Sequence, residues 1–168
     1  MSYEWSLDVF YKGINDPALA ADMAKLEEKT AAYKQLIAAL GTEEPAAALR
    51  KVIDIKEEMA VLTRRLGGYF SLRRSANSAD SEGASYQTKI GTLMASTAKE
   101  NVMFEKYAGT LENLEEILDS DEVLSQYKFY FSQIQKAVAH KMSDEAEAIF
   151  ARMNISGGKA WGDLVSDL

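Results

Sequence analysis

Apolar side chains recur with helical spacing along most of this chain. The pair Asp16-Pro17 predicts a helix start, since aspartate caps free amide groups and proline fits the first turn. Apolar positions then repeat every seven residues and predict a single buried seam on this helix. Gly41 is predicted to end the helix. The seam consists of Leu19, Leu26, Tyr33 and Leu40, with Met23, Thr30 and Ile37 at the interleaved heptad position.

A second helix is predicted to begin at residues 42–45, where the helix dipole favours negative charge in the first turn. Gly67-Gly68 lies inside its apolar run. We interpret this pair as a kink or a close helix approach, because no strand precedes it and no Lys-Ser or Lys-Thr follows, as a phosphate loop requires. The broad apolar face comprises Leu49, Val52, Ile53, Met59, Leu62, Leu66, Tyr69 and Phe70.

A polar stretch at residues 75–83 predicts a turn, and a third helix follows it. From Tyr86 to Leu118 the apolar spacing stays helical over more than thirty residues. Such a helix would be about 50 Å long. A compact globule of this chain length has a radius of gyration of only about 15 Å. The sequence therefore predicts an elongated domain.

The remainder of the chain predicts shorter helices. Residues 119–122 break and recap the chain, and Val123 to Val138 form a fourth helix. Ser143 is a predicted cap for a short helix, and a last short helix follows a turn at residues 154–158. No segment has a convincing strand pattern.

The predicted fold is therefore all-α: an elongated bundle of long antiparallel helical hairpins followed by two short helices. We expect one domain over residues 1–168, with a docking segment at 1–15, long helices over 16–138, and short C-terminal helices over 143–168 that lead into a further domain.

Composition and charge narrow the possible partners. The net charge of −7 argues against nucleic acid and against anionic membrane surfaces. The absence of cysteine removes disulfides and thiolate chemistry and suits a reducing compartment. The start of the chain has no signal-peptide pattern, and no apolar stretch approaches the length of a membrane span. We therefore expect a soluble, cytoplasmic protein.

Candidate metal and catalytic residues are few. The single histidine, His140, has the i, i+4 spacing of a metal pair with Asp144, but zinc needs three or four ligands, so we interpret His140 as a surface or capping residue. Asp119, Asp121 and Glu122 suggest calcium only superficially, because the glycine and the closing glutamate of a calcium loop are missing; we expect helix capping. We assign no catalytic, cofactor-binding or metal-binding residue to this chain.

Paired acids and clustered bases have simple interpretations. Glu57-Glu58 and Glu115-Glu116 point about 100° apart on a helix and predict a solvated face rather than an acid–base dyad. One basic cluster stands out. It can hold a carboxylate, on a partner or at the C-terminus of a peptide, but we favour pairing with acids on adjacent helices. The cluster comprises Arg64, Arg65, Arg73 and Arg74, with Lys89 expected nearby.

Apolar residues at both ends predict docking. Trp5, Phe10 and Tyr11 would form an unusual exposed patch in a free tail, so we expect them to pack against the bundle or a following domain. The helix after Gly157-Gly158 can offer free amides to an anion, but we favour a turn that directs Trp161 into the bundle. Because the chain stops in an amphipathic segment, we expect its end to be a cut.

Two segments resemble the N-terminal lobe of oligoendopeptidase F-like zinc metallopeptidases, which are related to thimet oligopeptidase. Residues 5–11, W-S-L-D-V-F-Y, resemble the family's W-x-L-x-x-[LF]-Y start. Residues 142–149, M-S-D-E-A-E-A-I, are similar to L-S-x-x-x-E-x-I, with Met142 in place of the common leucine. Gly158 to Leu164 is similar to the stretch G-x-x-A-W-x-x-L, and the order of His140-Lys141 departs slightly from the usual one.

The resemblance implies a function for the parent enzyme rather than for this chain alone. It implies a non-catalytic helical lobe that forms part of the wall of a channel, which admits short peptides for hydrolysis by the downstream catalytic domain of the same polypeptide. Zinc would belong to that later domain, and this chain would hold no cofactor. A helical zinc peptidase requires the H-E-x-x-H pair of histidines, which one histidine cannot supply.

An alternative remains open at this stage. The chain can instead be a stand-alone helical protein–protein interaction module that pairs through the heptad seam of its first helix. That module would form a stable oligomer, whereas a lobe would be monomeric or weakly associated.

Overall fold

The computed structural model describes residues 6–140 and, beyond them, Ile149, Met153 and Trp161. The described part is helical, with no strand, as the sequence predicts. None of its helices combines the length and apolarity needed to cross a membrane. The helices are α1 (Pro17–Ala38), α2 (Pro45–Ala76), α3 (Ser81–Ala95), α4 (Ala98–Gly109), α5 (Leu114–Asp119), α6 (Glu122–Ser125) and α7 (Lys128–Ala139).

The start of α1 follows the predicted Asp16-Pro17 cap. Asp16 Oδ1 accepts a hydrogen bond from the Ala18 amide at 2.9 Å, and Oδ2 accepts one from the Lys12 amide at 2.8 Å. These backbone donors lower the pKa of Asp16, because they stabilise its charged form. Gly41 follows the helix with a φ of +87°, a left-handed conformation that favours glycine.

The second helix, α2, is long enough to make the domain elongated. Glu44 caps it by accepting from the amides of Ala46 and Ala47, and Pro45 occupies the first turn. The negative charge predicted in the first turn therefore lies at the N-cap instead. Its 32 residues span about 48 Å. The heptad seam of α1 packs along α2, and the chain between them is short, so the two helices form the predicted antiparallel hairpin.

The prediction of a single helix from Tyr86 to Leu118 is wrong. The chain is broken there into α3, α4 and α5. At the first break the buried Thr97 hydroxyl donates to the Met94 carbonyl at 2.7 Å. At the second, the Thr110 hydroxyl donates to the Lys106 carbonyl at 2.9 Å. These hydroxyls occupy carbonyls at the helix ends, which local side-chain bonding does at turns and caps.

The helix predicted from Val123 to Val138 is also divided. It consists of the short α6 and of α7, separated at Gln126–Tyr127. Its predicted cap is correct, because Asp121 Oδ1 accepts from the amides of Val123 at 2.8 Å and Leu124 at 3.0 Å. Asp119 ends α5, which confirms the predicted break at this point.

The sequence predicts a kink or a close helix approach at Gly67-Gly68, and the close approach is wrong. The helix runs unbroken through both residues, and a β-carbon added at either would meet nothing within 4 Å. The close approach occurs instead at Gly109, where an added β-carbon would lie 2.6 Å from Val138 Cγ2. The missing side chain at Gly109 therefore lets α4 pack against α7.

Two aromatic residues of the predicted docking segment, Phe10 and Tyr11, pack on the bundle as predicted. Tyr11 is buried and Phe10 packs against the core. The Tyr11 hydroxyl donates to Asp22 Oδ2 at 2.7 Å, and its ring meets Tyr69 edge-on at 5.0 Å. Trp5 lies outside the described residues.

The C-terminal predictions are tested at few positions. Ser143 and residues 154–158 lie outside the described residues, as do Leu164 and Leu168. Trp161 is described, and 68% of its surface is exposed. The prediction that Trp161 points into the bundle is therefore wrong.

Candidate functional site

Most of the predicted basic cluster is paired. Arg65 Nη1 lies 3.2 Å from Asp22 Oδ2, which joins α2 to α1. Lys89 Nζ lies 2.8 Å from Glu27 Oε1 and joins α3 to α1. Pairing with acids on adjacent helices, the favoured interpretation, is confirmed for these two cations.

The two arginines at the end of α2 are engaged at the α2–α3 junction. Arg73 Nε donates to Asp80 Oδ2 at 2.5 Å, while Arg74 Nη1 donates to Gln87 Oε1 at 2.9 Å. Asp80 also accepts from the Gly83 amide at 3.1 Å and so caps α3. Arg73, followed by the Gly83 amide, holds the pKa of Asp80 below its ordinary value.

Arg64 differs from the rest of the cluster. Within the described part of the chain, no ion pair or side-chain hydrogen bond joins it to another residue. The Arg64 side chain is exposed. It lines a cavity that is also lined by Lys56, a residue of the same helix.

Lys56 lies among three aromatic rings, which we call the aromatic box. Its Nζ is 4.9 Å from the ring centroid of Phe104, 5.8 Å from that of Tyr130 and 5.9 Å from that of Tyr33. Each distance is within the range of a cation–π contact. Nζ also donates to Tyr130 Oη at 3.2 Å. Residues of α1, α2, α4 and α7 therefore meet around one ammonium group.

The surroundings of Lys56 in the aromatic box disfavour the charged form of its side chain. Burial lowers the pKa of Lys56, and the negative charge of Glu105 opposes that change to a smaller extent. Burial is also the main reason that the pKa values of Tyr33 and Tyr130 are raised. Both phenols are therefore neutral at physiological pH, and their rings provide faces rather than counter-charges.

A cavity of about 400 Å³ lies beside the aromatic box, and we call it the Lys56 cavity. This volume is within the range of small-molecule sites in proteins. One part of its lining is apolar or aromatic: Tyr33, Met59, Ala60 and Met94. The other part carries polar groups: Lys56, Thr63, Arg64, Thr97 and Asn101.

Hydrogen bonds fix the polar side of the Lys56 cavity. The Tyr33 hydroxyl donates to Asn101 Oδ1 at 2.7 Å, and Asn101 Nδ2 donates to Thr97 Oγ1 at 3.4 Å. The asparagine amide is therefore oriented with its nitrogen near Thr97. A primary amide nitrogen has two hydrogens, and this contact uses one of them.

A second cavity of about 350 Å³ shares Lys56 and Ala60 with the first. Its further lining includes Glu57 and Tyr127, and the Tyr127 hydroxyl donates to Glu57 Oε1. The hydrogen bond to Glu57 raises the pKa of Tyr127. Lys56 is thus reachable from two neighbouring depressions of the surface.

The other predicted residues have structural roles. His140 is the C-cap of α7, and its amide donates to the Lys136 carbonyl at 3.3 Å; the capping interpretation is confirmed, while Asp144 lies outside the described residues. Asp121 caps α6 and also accepts from Arg50 Nη1 at 3.3 Å. Asp119 lies 2.5 Å from Lys128 Nζ.

The paired acids lie on accessible surface, as predicted. Glu58 Oε2 is 2.8 Å from Lys29 Nζ and 3.8 Å from Lys25 Nζ. Lys29, the nearer cation, lowers the pKa of Glu58. Both Glu115 and Glu116 are exposed in the first turn of α5.

Zinc does not fit the described residues. Over residues 6–140 and the three further positions, no group of three or more histidine, cysteine, aspartate or glutamate side chains is placed to hold a metal ion. The whole sequence offers one histidine and no cysteine as soft donors. No catalytic step is therefore assigned to these residues.

The heptad seam is not available to a partner. Leu19 and Leu26 are fully buried, and Tyr33 is 1% exposed. Leu40 packs against the same core. The alternative of a module that pairs through this seam therefore loses its binding surface.

Sequence reasoning missed Lys56. The signal was present, because Lys56 follows Val52 and Ile53 at helical spacing and precedes Met59 on the same apolar face of α2. A lysine inside an apolar period is unusual, since charged side chains are rarely buried without a partner. The aromatic partners lie on other helices and could not be read from this spacing.

Apolar side chains stay exposed toward the end of the chain. Ile149 is 59% exposed and Met153 is 65% exposed, similar to Trp161. On α7, Phe129 is 76% exposed. Large apolar groups that stay exposed to solvent often mark a surface for another domain.

The comparisons with known proteins agree with the resemblance. The sequence model of a protein family described as Oligopeptidase F, and specifically its N-terminal region, matches residues 110–166. No curated protein and no solved structure matches the chain.

The matched segment overlaps the C-terminal part of the resemblance. Residues 110–166 are similar to the N-terminal region of oligopeptidase F, in agreement with the resemblance noted at residues 142–149 and 158–164. The match covers about a third of the sequence. Residues 5–11 lie outside it, so their resemblance stays a prediction.

Proposed function

We propose that this chain is the non-catalytic N-terminal helical lobe of a zinc-dependent oligoendopeptidase. In this proposal it forms part of the wall of a channel that admits short peptides, and a downstream domain of the same polypeptide hydrolyses them. The observation that carries the proposal is the family match over residues 110–166.

The shape of the helices supports a role as a wall. The α2 helix is about 48 Å long and packs along α1, so the pair forms a long, stiff surface. A rigid wall excludes substrates by size, since folded proteins are wider than an extended peptide. The proposed contribution of this chain is therefore steric.

Exposed side chains support contact with a downstream domain. Ile149, Met153 and Trp161 lie within the matched region and are each more than half exposed. Burying them against a second domain would remove apolar surface from water. We propose that they contribute to the surface on which the catalytic domain docks.

A cytoplasmic location is part of the same proposal. The sequence has no cysteine, which suits a compartment where disulfides do not form. Cell fractionation with an antibody against the chain tests this point, and recovery from a secreted or periplasmic fraction would contradict it.

The first experiment reads the gene beyond codon 168. The proposal predicts an in-frame H-E-x-x-H motif several hundred residues downstream, since two histidines one turn apart and a glutamate are what a helical zinc peptidase needs. An in-frame stop codon directly after Leu168 would contradict the proposal.

The second experiment tests docking in the longer polypeptide. With Trp5 and every tryptophan beyond residue 168 replaced by Phe, the fluorescence of Trp161 is compared in the 168-residue chain and in the full polypeptide. We expect a blue shift and weaker quenching by acrylamide in the full polypeptide, because Trp161 becomes buried. Equal quenching in both proteins would contradict docking at this surface.

A further inference from the structure

The Lys56 cavity has a charge opposite to that of the protein as a whole. The chain has a net charge of −7, yet two cations, Lys56 and Arg64, line this cavity, and no carboxylate is among its lining residues. Two carboxylates of α4 lie nearby without forming part of the lining: Glu105 acts on Lys56 and Tyr33, and Glu100 acts on Tyr33. An anion is therefore the charge that the cavity complements.

The spacing of the two cations leaves room between them. Lys56, Ala60 and Arg64 follow one another at intervals of four residues, so they lie along the same face of α2. The two charged residues are about 12 Å apart along the helix axis, a gap that their long side chains can narrow. Ala60 has the smallest side chain that such a position can carry without weakening the helix. Lys56, Ala60 and Arg64 all line the Lys56 cavity.

Arg64 at the cavity differs from the neighbouring Arg65 in its ion-pair partners. Arg65, the next residue, is bound to Asp22 and lies on another face of α2. Arg64 has no such partner among the residues described, and an arginine presents a planar fork that matches a carboxylate. This difference leaves Arg64 as an exposed cation without a described partner, beside the Lys56 cavity.

The rest of the lining suits the body of an organic ligand rather than an inorganic ion. Met59 and Met94 provide flexible apolar surface, which adapts to different side chains. The Asn101 amide is oriented by Tyr33, and its nitrogen offers a donor toward a peptide carbonyl. Charge, apolar surface and an oriented amide thus occur together in about 400 Å³.

We propose that the Lys56 cavity binds the C-terminal carboxylate of a short peptide whose last side chain is apolar. Lys56 and Arg64 bind the carboxylate above Ala60, the two methionines contact the last side chain, and Asn101 donates to a peptide carbonyl. The proposal rests on the proposed function for the source of the ligand. It adds where the peptide binds and which of its ends is bound.

The experiment is a calorimetric titration of the 168-residue chain with acetyl-Ala-Ala-Leu as the free acid. The matching C-terminal amide and hexanoate are titrated in parallel at low salt. We expect the acid to bind at least tenfold more tightly than the amide or hexanoate. Equal affinity for acid and amide would overturn the carboxylate site, and equal affinity for hexanoate would overturn the assignment to a peptide.

Variants separate the cavity from the general charge of the surface. Arg64→Gln and Lys56→Met are each expected to weaken binding of the acid about tenfold and to leave the amide unchanged. Ala60→Leu fills the space between the cations and is expected to abolish binding of the acid. Arg65→Gln and Val61→Leu are the matched controls, because these neighbouring residues line a different cavity.

The controls also give outcomes that contradict the proposal. If Arg65→Gln weakens binding of the free-acid peptide as much as Arg64→Gln does, the effect is due to general surface charge and the site is overturned. Normal binding by Ala60→Leu would likewise overturn it. Arg64 and Ala60 are exposed, so these variants test the site even if Lys56→Met does not fold.

Hydrolysis by the full polypeptide distinguishes this proposal from the proposed function. If the full polypeptide cleaves peptides but the chain does not distinguish acid from amide, the carboxylate site is wrong and the lobe assignment stands. If the chain binds the acid but the full polypeptide has no peptidase activity, the proposed function is wrong and the site stands.

Discussion

Two regions of α2 place a cation in contrasting surroundings. At the α2–α3 junction, Arg73 is bound to Asp80, which also caps α3, and Phe70 stacks on Tyr86 with centroids 4.7 Å apart. In the middle of the same helix, Lys56 lies in the aromatic box beside a cavity.

The contrast separates a structural role from a binding role. At the junction the charged groups of Arg73 and Asp80 pair with each other, so they stabilise the connection between two helices. The aromatic box holds a cation whose burial lowers its pKa, while its neighbour Arg64 has no described partner. The junction therefore serves stability, and the Lys56 cavity is the region suited to a ligand.

The largest expected effect is the loss of packing at the junction. Phe70 is fully buried, so Phe70→Ala is expected to lower the free energy of unfolding by about 4 kcal/mol. Urea denaturation measures the loss. Phe129→Ala is the matched control, because Phe129 is 76% exposed and its loss is expected to cost less than about 0.5 kcal/mol. Equal losses would contradict the assigned packing.

A smaller effect is expected when the charge at the junction is removed. Asp80→Asn keeps a capping side chain but loses the ion pair with Arg73, so its unfolding temperature is expected to be lower at neutral pH. Because the pKa of Asp80 is lowered in the folded state, its contribution is present above the ordinary value of about 3.9 and is lost as the pH falls through the lowered pKa. Thermal unfolding from pH 7 to pH 2 measures this dependence.

The difference between wild type and Asp80→Asn is therefore expected to shrink in acid. Asp119→Asn is the control, because Asp119 is half exposed and its pair with Lys128 is solvated. A difference between wild type and Asp80→Asn that stays constant down to pH 2 would show that the charge of Asp80 does not stabilise the junction.

At the aromatic box the expected effect has the opposite sign. Burial disfavours the charged form of Lys56, so Lys56→Met is expected to unfold about 2 °C higher than wild type at neutral pH. The cost of the charge is present below the lowered folded pKa and disappears as the pH rises from there to the ordinary lysine value of about 10.4. Thermal unfolding at pH 7 to 10.5 measures the difference in unfolding temperature between Lys56→Met and wild type. This difference is expected to narrow with rising pH.

Lys51→Met is the control for this prediction. Lys51 is an exposed residue of the same helix, and its pair with Glu43 is solvated. If Lys56→Met is much less stable than wild type at pH 7, then the aromatic box stabilises the ammonium more than burial disfavours it, and the contrast between the two regions is wrong.

The smallest effect on stability is expected at Arg64. Arg64→Gln is expected to change the free energy of unfolding by less than about 0.5 kcal/mol, since the side chain is exposed and has no described ion pair. Urea denaturation measures this value. A loss comparable to that of Asp80→Asn would mean that Arg64 has a structural partner and is not available to a ligand.

The helices that were predicted correctly are those with local signals at their ends. Asp16-Pro17 and Glu44-Pro45 begin α1 and α2 because a carboxylate caps the free amides and proline fits the next position. These contacts lie within a few residues of each other. A sequence pattern is sufficient to find them.

The breaks after α3 and α4 depend on more than local pattern. Apolar spacing continues across Thr97 and Thr110, so the pattern predicts one long helix. Gly109 lets α4 approach α7 at Val138, and this contact joins residues far apart in sequence. Periodicity carries no information about such a contact, although a glycine followed by a threonine was a signal for a break.

The candidate site was predictable only in part. The pairing of Arg65, Arg73 and Lys89 follows from the abundance of acids on neighbouring helices. The exceptional position of Arg64 and the aromatic box do not follow, because they require four helices in a fixed arrangement. The family region, by contrast, was recognised from residues 142–164, within the segment that the family model matches.

We propose that this chain shapes access to a peptidase site and performs no chemistry itself. The most direct test measures hydrolysis of a fluorogenic nonapeptide, in the presence of zinc, by the 168-residue chain and by the full polypeptide. Our account predicts hydrolysis by the full polypeptide alone. Hydrolysis by the 168-residue chain itself, with one zinc bound per chain, would contradict the account.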